Sequence, residues 1–440
     1  MDFKIKEIKT NLTPFDIYNL FKDEKNSVFL DSSKEDENLS KYSFIGLNPL
    51  EVFEPKAFND PFLELEKRIN DKKINFKSDI PLICGYIGYI SYDAGRLIEK
   101  LPNTSKEDFN IPNMRFILYN NIIIFDLLNN KCFITAIENK EESINEIEEK
   151  ILGGSKIEEK SFMEGNNKFY SNFTKEQYIK AVKRMKDYIV DGDIYIANMT
   201  QRFYCHCTKD SFDIYSHLRS INKAPFSAYL NYNDFQIISS SPERFIQIKD
   251  GRVITRPIKG TRPRGKNKNE DDFYRKELEN SEKDKAELLM IVDLERNDLS
   301  KVCDKNSVIV SELFKIEEYA TVFHLVSTIE GNLKPENSAV KCIREAYPGG
   351  SITGAPKIRA MEIIEELEGI KRNLYTGIIG YFDLRGNSDF NIVIRTILKK
   401  DDKAYFGVGG GITYESNEED EYEETIQKAK ALMKVLKWEI

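Results

Sequence analysis

Thr376-Gly377-Ile378-Ile379-Gly380-Tyr381-Phe382 and Phe390-Asn391-Ile392-Val393-Ile394-Arg395 are two short runs rich in branched and aromatic residues, with no helical stretch between them. Such side chains suit a pleated, half-buried surface, so both runs read as strands. Working outward, the pattern recurs at Phe226-Ser227-Ala228-Tyr229-Leu230 and Phe235-Gln236-Ile237-Ile238. It recurs again at Ser27-Val28-Phe29-Leu30 and Ile83-Cys84-Gly85-Tyr86-Ile87-Gly88-Tyr89. Helical stretches fall near 281–299, 355–368 and 418–437. A further helix is clearly signed: Thr174 is its N-cap, with Gln177 three residues on completing a capping box. Tyr178, Val182, Met185 and Ile189 then share one face. Many strands with interspersed helices, and no regular βαβ period, predict an α+β fold.

The 440 residues, 40% of them hydrophobic, are ample for a large core. A charged helix ends near Glu146–Lys150, Ile151-Leu152-Gly153-Gly154 stops it, and a polar linker follows. This sets a soft boundary near 150–172, between an N-terminal region (1–160) and a second region (172–440). The 65 basic and 73 acidic residues give a net charge of −8, which argues against a nucleic-acid partner. The run Ile122-Ile123-Ile124-Phe125 is cut by Asp126 and is too short to span a bilayer. Residues 1–10 lack the apolar stretch of a signal peptide, and six cysteines do not read as a disulfide framework. A cytoplasmic protein without a membrane partner is the expectation. Cys205-His206-Cys207 places two thiols on one strand face, short of the four ligands a structural zinc takes.

Several polar residues suggest chemistry. Glu421, Glu424 and Lys428 sit at i, i+3 and i+7, on one face of a helix that follows Gly409-Gly410-Gly411. Two carboxylates and an amine there could hold Mg²⁺ and a substrate carboxylate; they equally suit a helix start and an ordinary i,i+4 pair. Glu287 stands at the edge of the apolar run Leu288–Val292, as a ligand or a structural ion-pair partner. Glu243 follows a strand and Pro242, as a general acid or a turn carboxylate paired with Arg244. Lys259, in Arg256-Pro257-Ile258-Lys259-Gly260-Thr261-Arg262-Pro263-Arg264-Gly265, is a lone amine in a segment stiffened by prolines. It is a nucleophile if its neutral form is populated, which Arg256, Arg262 and Arg264 could favour, and otherwise a surface loop lysine. Arg395, read as inside the strand Ile392–Ile397, needs an anionic partner such as a substrate carboxylate. His324 reads as a satisfied core histidine.

Taken in order, these runs resemble the chorismate-binding family, which includes the anthranilate, aminodeoxychorismate, isochorismate and salicylate synthases. The matching runs are Gly192–Tyr195, Ser239–Arg244, the Lys259 segment, Lys283–Asp298, Pro348–Lys357, Asp389–Thr396 and Gly409–Lys428. The resemblance implies an antiparallel β-sandwich flanked by helices, with the site in a cleft. It also implies Mg²⁺ held by Glu287, Glu421 and Glu424, and chorismate held by Arg395, Tyr375, Thr261, Gly409, Gly410, Lys428 and His324. Position 259 sorts the members: anthranilate synthases usually carry Ala there, and the aminodeoxychorismate branch carries Lys. Lys259 as nucleophile and Glu243 as general acid are implied on that branch. Ammonia would come from a separate glutamine amidotransferase subunit. Ile196 stands where isochorismate synthases place a general-base Lys and where the aminating members usually carry Gln.

Overall fold

The computed structural model describes residues 3–33, 39–55, 60–158, 160–319 and 322–438. Every ladder among them is antiparallel. One half of the strand path runs Ile196–His206, Lys403–Ile412, Thr396–Lys400, Gln236–Ser241, Phe226–Asn231, Ser27–Asp31 and Tyr42–Phe53. Tyr42–Phe53 then passes the ladder to Met114–Asp126. The other half continues through Gly85–Ile90, Ile378–Asp383, Ser388–Ile392, Arg244–Lys249, Arg252–Thr255 and Val322–Asn332. Val322–Asn332 is also flanked by Ile258–Pro263 and Ile309–Glu318.

The two halves close over one core. Val28, Phe44, Leu230 and Ile237 from the first meet Tyr86, Phe116, Phe382 and Phe390 from the second. Phe44 meets the Tyr381 ring edge-on at 5.7 Å, and Tyr89 meets Phe235 at 6.0 Å. The fold is therefore of the α+β class, as its many strands with interspersed helices predict, and an antiparallel β-sandwich, as the resemblance implies. The outer face of the first half holds a second core. It is covered by the helices Pro14–Phe21, Lys140–Leu152, Ser211–Ile221 and Glu418–Lys437.

The clear local signals set their elements. Thr174 and Gln177 form a reciprocal capping box on the helix Lys175–Val190, with Tyr178, Val182 and Met185 buried. Strands from both sequence regions interleave: Ser27–Asp31 pairs with Phe226–Asn231, and Gly85–Ile90 with Ile378–Asp383. Cys205, on the strand Ile196–His206, and Cys207, just past its end, are both buried, while His206 points out to Asp402. Among the described residues no helix is long and apolar enough to cross a membrane. One assignment changes. Arg395 is not inside a strand; Ser388–Ile392 ends before it, Thr396–Lys400 begins after it, and its φ is +53°.

Candidate active site

Lys259 lies on the strand Ile258–Pro263, opposite Leu325, and not in a loop. Gly260 makes a bulge there with φ +74°. A Cβ at Gly260 would also fall 2.8 Å from the Asp284 side chain and from Leu278, so the bulge requires glycine. The partly buried Lys259 amine donates to the Ser351 carbonyl at 3.2 Å. It also lies 3.5 Å from where a Cβ on Gly411 would stand, beside Ile196. The three nearby arginines are each claimed by acids: Arg256 by Glu317, Arg262 by Glu277 and Asp284, Arg264 by Asp271.

Glu243 occupies the turn between Gln236–Ser241 and Arg244–Lys249 and is 7% exposed. Arg244 does not pair with it, because both ends of that guanidinium bind Asp389. Burial raises the proton affinity of Glu243. The Ser351 hydroxyl and the Lys259 and Lys428 charges oppose this, and the net direction is up. A carboxyl whose proton affinity is raised, set beside an amine, is suited to giving a proton.

The acidic helix Glu418–Lys437 brings its carboxylates under the glycine strand Lys403–Ile412. A Cβ on Gly410 would stand 3.2 Å from Glu421 Oε2 and 3.5 Å from Glu424 Oε1, so only a bare backbone passes over these oxygens unhindered. Lys428 bonds Glu424 at 2.5 Å and the Gly409 carbonyl at 2.9 Å. The Ser416 hydroxyl donates to Glu421 at 2.7 Å. Glu287 comes from the helix Glu282–Val302 and feels the charges of Lys259 and Glu424.

Burial raises the proton affinity of Glu287 and Glu421, each helped by the negative charge of Glu424, and amines only partly offset it. Burial pushes Glu424 the same way, but its side chain is 51% exposed. The charges of Lys428, Lys283 and Lys259 outweigh what burial it has, and its net direction is down. Among the described residues no group of three His, Cys, Asp or Glu is gathered closely enough to hold a metal ion as it stands. The donor chemistry nonetheless suits a hard cation: three carboxylates share one field, and the amines around them leave the proton affinity of two raised.

Arg395 Nη1 donates to the Lys428 carbonyl at 2.5 Å. Burial lowers its proton affinity, and Tyr375 and Glu424 oppose that. Tyr375 packs flat against Gly407, where a Cβ would fall 2.3 Å from its ring. Thr261 and His324 pair with each other, Oγ1 to Nδ1 at 2.9 Å, with Thr261 exposed farther along the same strand.

The structure therefore brings Lys259, Glu243, Glu287, Glu421, Glu424, Lys428, Gly409, Gly410, Arg395 and Tyr375 into one electrostatic neighbourhood. Thr261 and His324 stand at its edge. Sequence reading missed Ser351 and Lys283. Ser351 bridges Lys259 and Glu243 through its carbonyl and hydroxyl. Lys283, one turn before Glu287, acts on all three carboxylates. Its i−4 spacing from Glu287 was the available signal; a carbonyl acceptor such as that of Ser351 leaves none.

The chorismate binding enzyme family profile matches residues 25–434. Anthranilate synthase component 1 of Acetivibrio thermocellus is 35% identical over 96% of this chain and 92% of its own length. Aminodeoxychorismate synthase component 1 of Bacillus subtilis is 36% identical over 94% and 92%. The crystal structure of anthranilate synthase component I from Streptococcus pneumoniae superposes with a TM-score of 0.80 at 31% identity, covering 90% of this chain and 93% of that one.

Proposed function

Since this chain belongs to the chorismate binding enzyme family, we propose that it is an aminodeoxychorismate synthase component I. It converts chorismate and ammonia into 4-amino-4-deoxychorismate, the precursor of 4-aminobenzoate for folate. The ammonia comes from a glutamine amidotransferase partner. The observation that carries this reading is Lys259: an amine fixed on a strand, bound to the Ser351 carbonyl and placed in the field of a buried acid, Glu243. The aminodeoxychorismate and anthranilate relatives above are 36% and 35% identical, so position 259 supplies the distinction.

Glu287, Glu421 and Glu424 would hold Mg²⁺, which when bound neutralises the ring carboxylate of chorismate and fixes its orientation. Arg395 and Tyr375 hold the enolpyruvyl carboxylate. The guanidinium offers it N–H donors beyond the one on Lys428. Neutral Lys259 forms a bond to ring C2, the ring double bonds shift, and the C4–O bond breaks. Glu243 gives its proton to that oxygen, which leaves as water. Ammonia then forms a bond to C4 as the double bonds shift back, and the C2–N bond breaks with its electron pair returning to Lys259. The incoming nitrogen returns a proton to Glu243, so the site is restored. The enolpyruvyl group stays on the ring.

The test is mass spectrometry of products from chorismate, Mg²⁺ and ammonium salt, with pyruvate assayed in parallel. Aminodeoxychorismate without pyruvate is expected, and Lys259→Ala should abolish its formation. Anthranilate with pyruvate, or full amination by Lys259→Ala, overturns the reading.

A further inference from the structure

Thr255 ends the strand Arg252–Thr255 and is 3% exposed. Its hydroxyl has one proton and two close neighbours, the Phe245 carbonyl at 2.6 Å and Glu295 Oε2 at 2.9 Å. A carbonyl oxygen only accepts, so the proton at the shorter contact belongs to Phe245. That carbonyl has particular need of it. Phe245 is the extra residue where Arg244–Lys249 slips register against Ser388–Ile392, and a bulged residue is left unpaired by its ladder. The contact between Thr255 and Glu295 is then a hydrogen bond only if the carboxyl carries a proton and donates it.

We propose that Glu295 is a protonated positioning residue: by donating to Thr255 it keeps that hydroxyl on the Phe245 carbonyl and fixes the bulge beside Glu243. The functional half of this rests on the reading of Glu243 as general acid. When Glu295 ionises, its carboxylate competes for the Thr255 proton, Phe245 loses its partner, and the turn carrying Glu243 loosens.

The surroundings agree. Burial pushes the Glu295 carboxyl up to about 8; a Thr255 donor bond would oppose this, while Glu243 and Asp298 add to it. The charged groups facing it are Glu243 from its turn, Asp298 on its own helix, and Lys357 from the helix Lys357–Glu368. Lys357 opposes the rise only weakly, since it is bound to Asp298 at 2.6 Å and to the Ala346 carbonyl at 2.8 Å.

The test compares wild type, Glu295→Gln and Thr255→Val. A glutamine amide donates to Thr255 at every pH. A carboxyl raised by folding supports the native state fully below its unfolded titration and loses that support as pH rises to about 8. The Tm advantage of Glu295→Gln over wild type should therefore widen from about pH 5 to about pH 8 and then level. With chorismate consumption as assay, the kcat ratio of Glu295→Gln to wild type should rise roughly two- to tenfold between about pH 7 and 9, the worth of one hydrogen bond. Thr255→Val should lower kcat at every pH. A Tm gap flat in pH overturns the protonated state, and a widening gap with a flat kcat ratio overturns the positioning role. If Glu295→Gln does not fold, the protonated-carboxyl infrared band of wild type decides: its loss across the same pH range supports the proposal, and its absence at neutral pH overturns it. If wild type consumes no chorismate but the Tm gap widens, Glu295 is protonated as proposed and the functional reading is what fails.

Discussion

Glu243 and Glu424 are both carboxylates of one site, and their surroundings pull them apart. Burial leaves Glu243 above the ordinary carboxylate range, whereas three amines draw the half-exposed Glu424 below it. The first suits a proton donor and the second a permanent negative charge. Glu243→Gln should lower kcat by about 10²- to 10⁴-fold with little change in KM, in steady-state assays of chorismate consumption. Because the acid form persists as pH rises until its raised titration point is passed, the wild-type activity due to Glu243 should fall on an alkaline limb above the ordinary carboxyl range. The types and order of these residues were legible, because charges set beside apolar runs and glycines stand out. The Ser351 bridge was not, since half of it is a backbone carbonyl that any residue could supply.

Helices were the more legible elements, because their ends are chemically marked. Asn417 caps Glu418–Lys437 by accepting from the Glu419 and Asp420 N–H groups. That cap holds the turn from which Glu421 and Glu424 project. Asn417→Ala should cost about 1 kcal/mol, read as a lower denaturation midpoint. With Mg²⁺ held as proposed, it should also raise the Mg²⁺ concentration that gives half-maximal activity. Strand ends were less legible. The run Ile392–Ile397 is apolar throughout apart from Arg395 and Thr396, and composition alone extends a strand through it. The chain instead turns at Arg395 with φ +53°, bringing the guanidinium to the Lys428 carbonyl. Positive φ at a non-glycine residue is imposed by tertiary contacts, so local sequence gives no sign of it. The Lys259 segment was read as a loop for a related reason. Its prolines and glycines mark a strand with a bulge as readily as a loop, and only the pairing with Val322–Asn332 decides.

Across the molecule, a buried ion pair ties the parts around the site. Arg372 binds both oxygens of Glu368, at 2.9 and 2.7 Å, and reaches the Ile352 and Asn198 carbonyls, while its guanidinium lies 4.7 Å from the Tyr92 ring. Both side chains are almost wholly enclosed, at 2% and 3% exposure. Removing one partner strands the other charge, so Arg372→Met should cost about 3–5 kcal/mol, measured by chemical denaturation. The α+β class was legible from the many strands with interspersed helices, and the sandwich only through the family resemblance, whereas the order of the strands was not legible, since pairing between distant segments leaves no local trace. That order has a consequence for how the protein is made. A ribosome delivers Gly85–Ile90 nearly three hundred residues before its neighbour Ile378–Asp383. Through most of translation one edge of this strand waits open, and the central core cannot close until synthesis is nearly over. The nascent chain thus spends its growth with an unpaired, apolar sheet edge that invites other chains. Its demand on chaperones is set by the sequence distance between partners, even though the finished sandwich hides that edge completely.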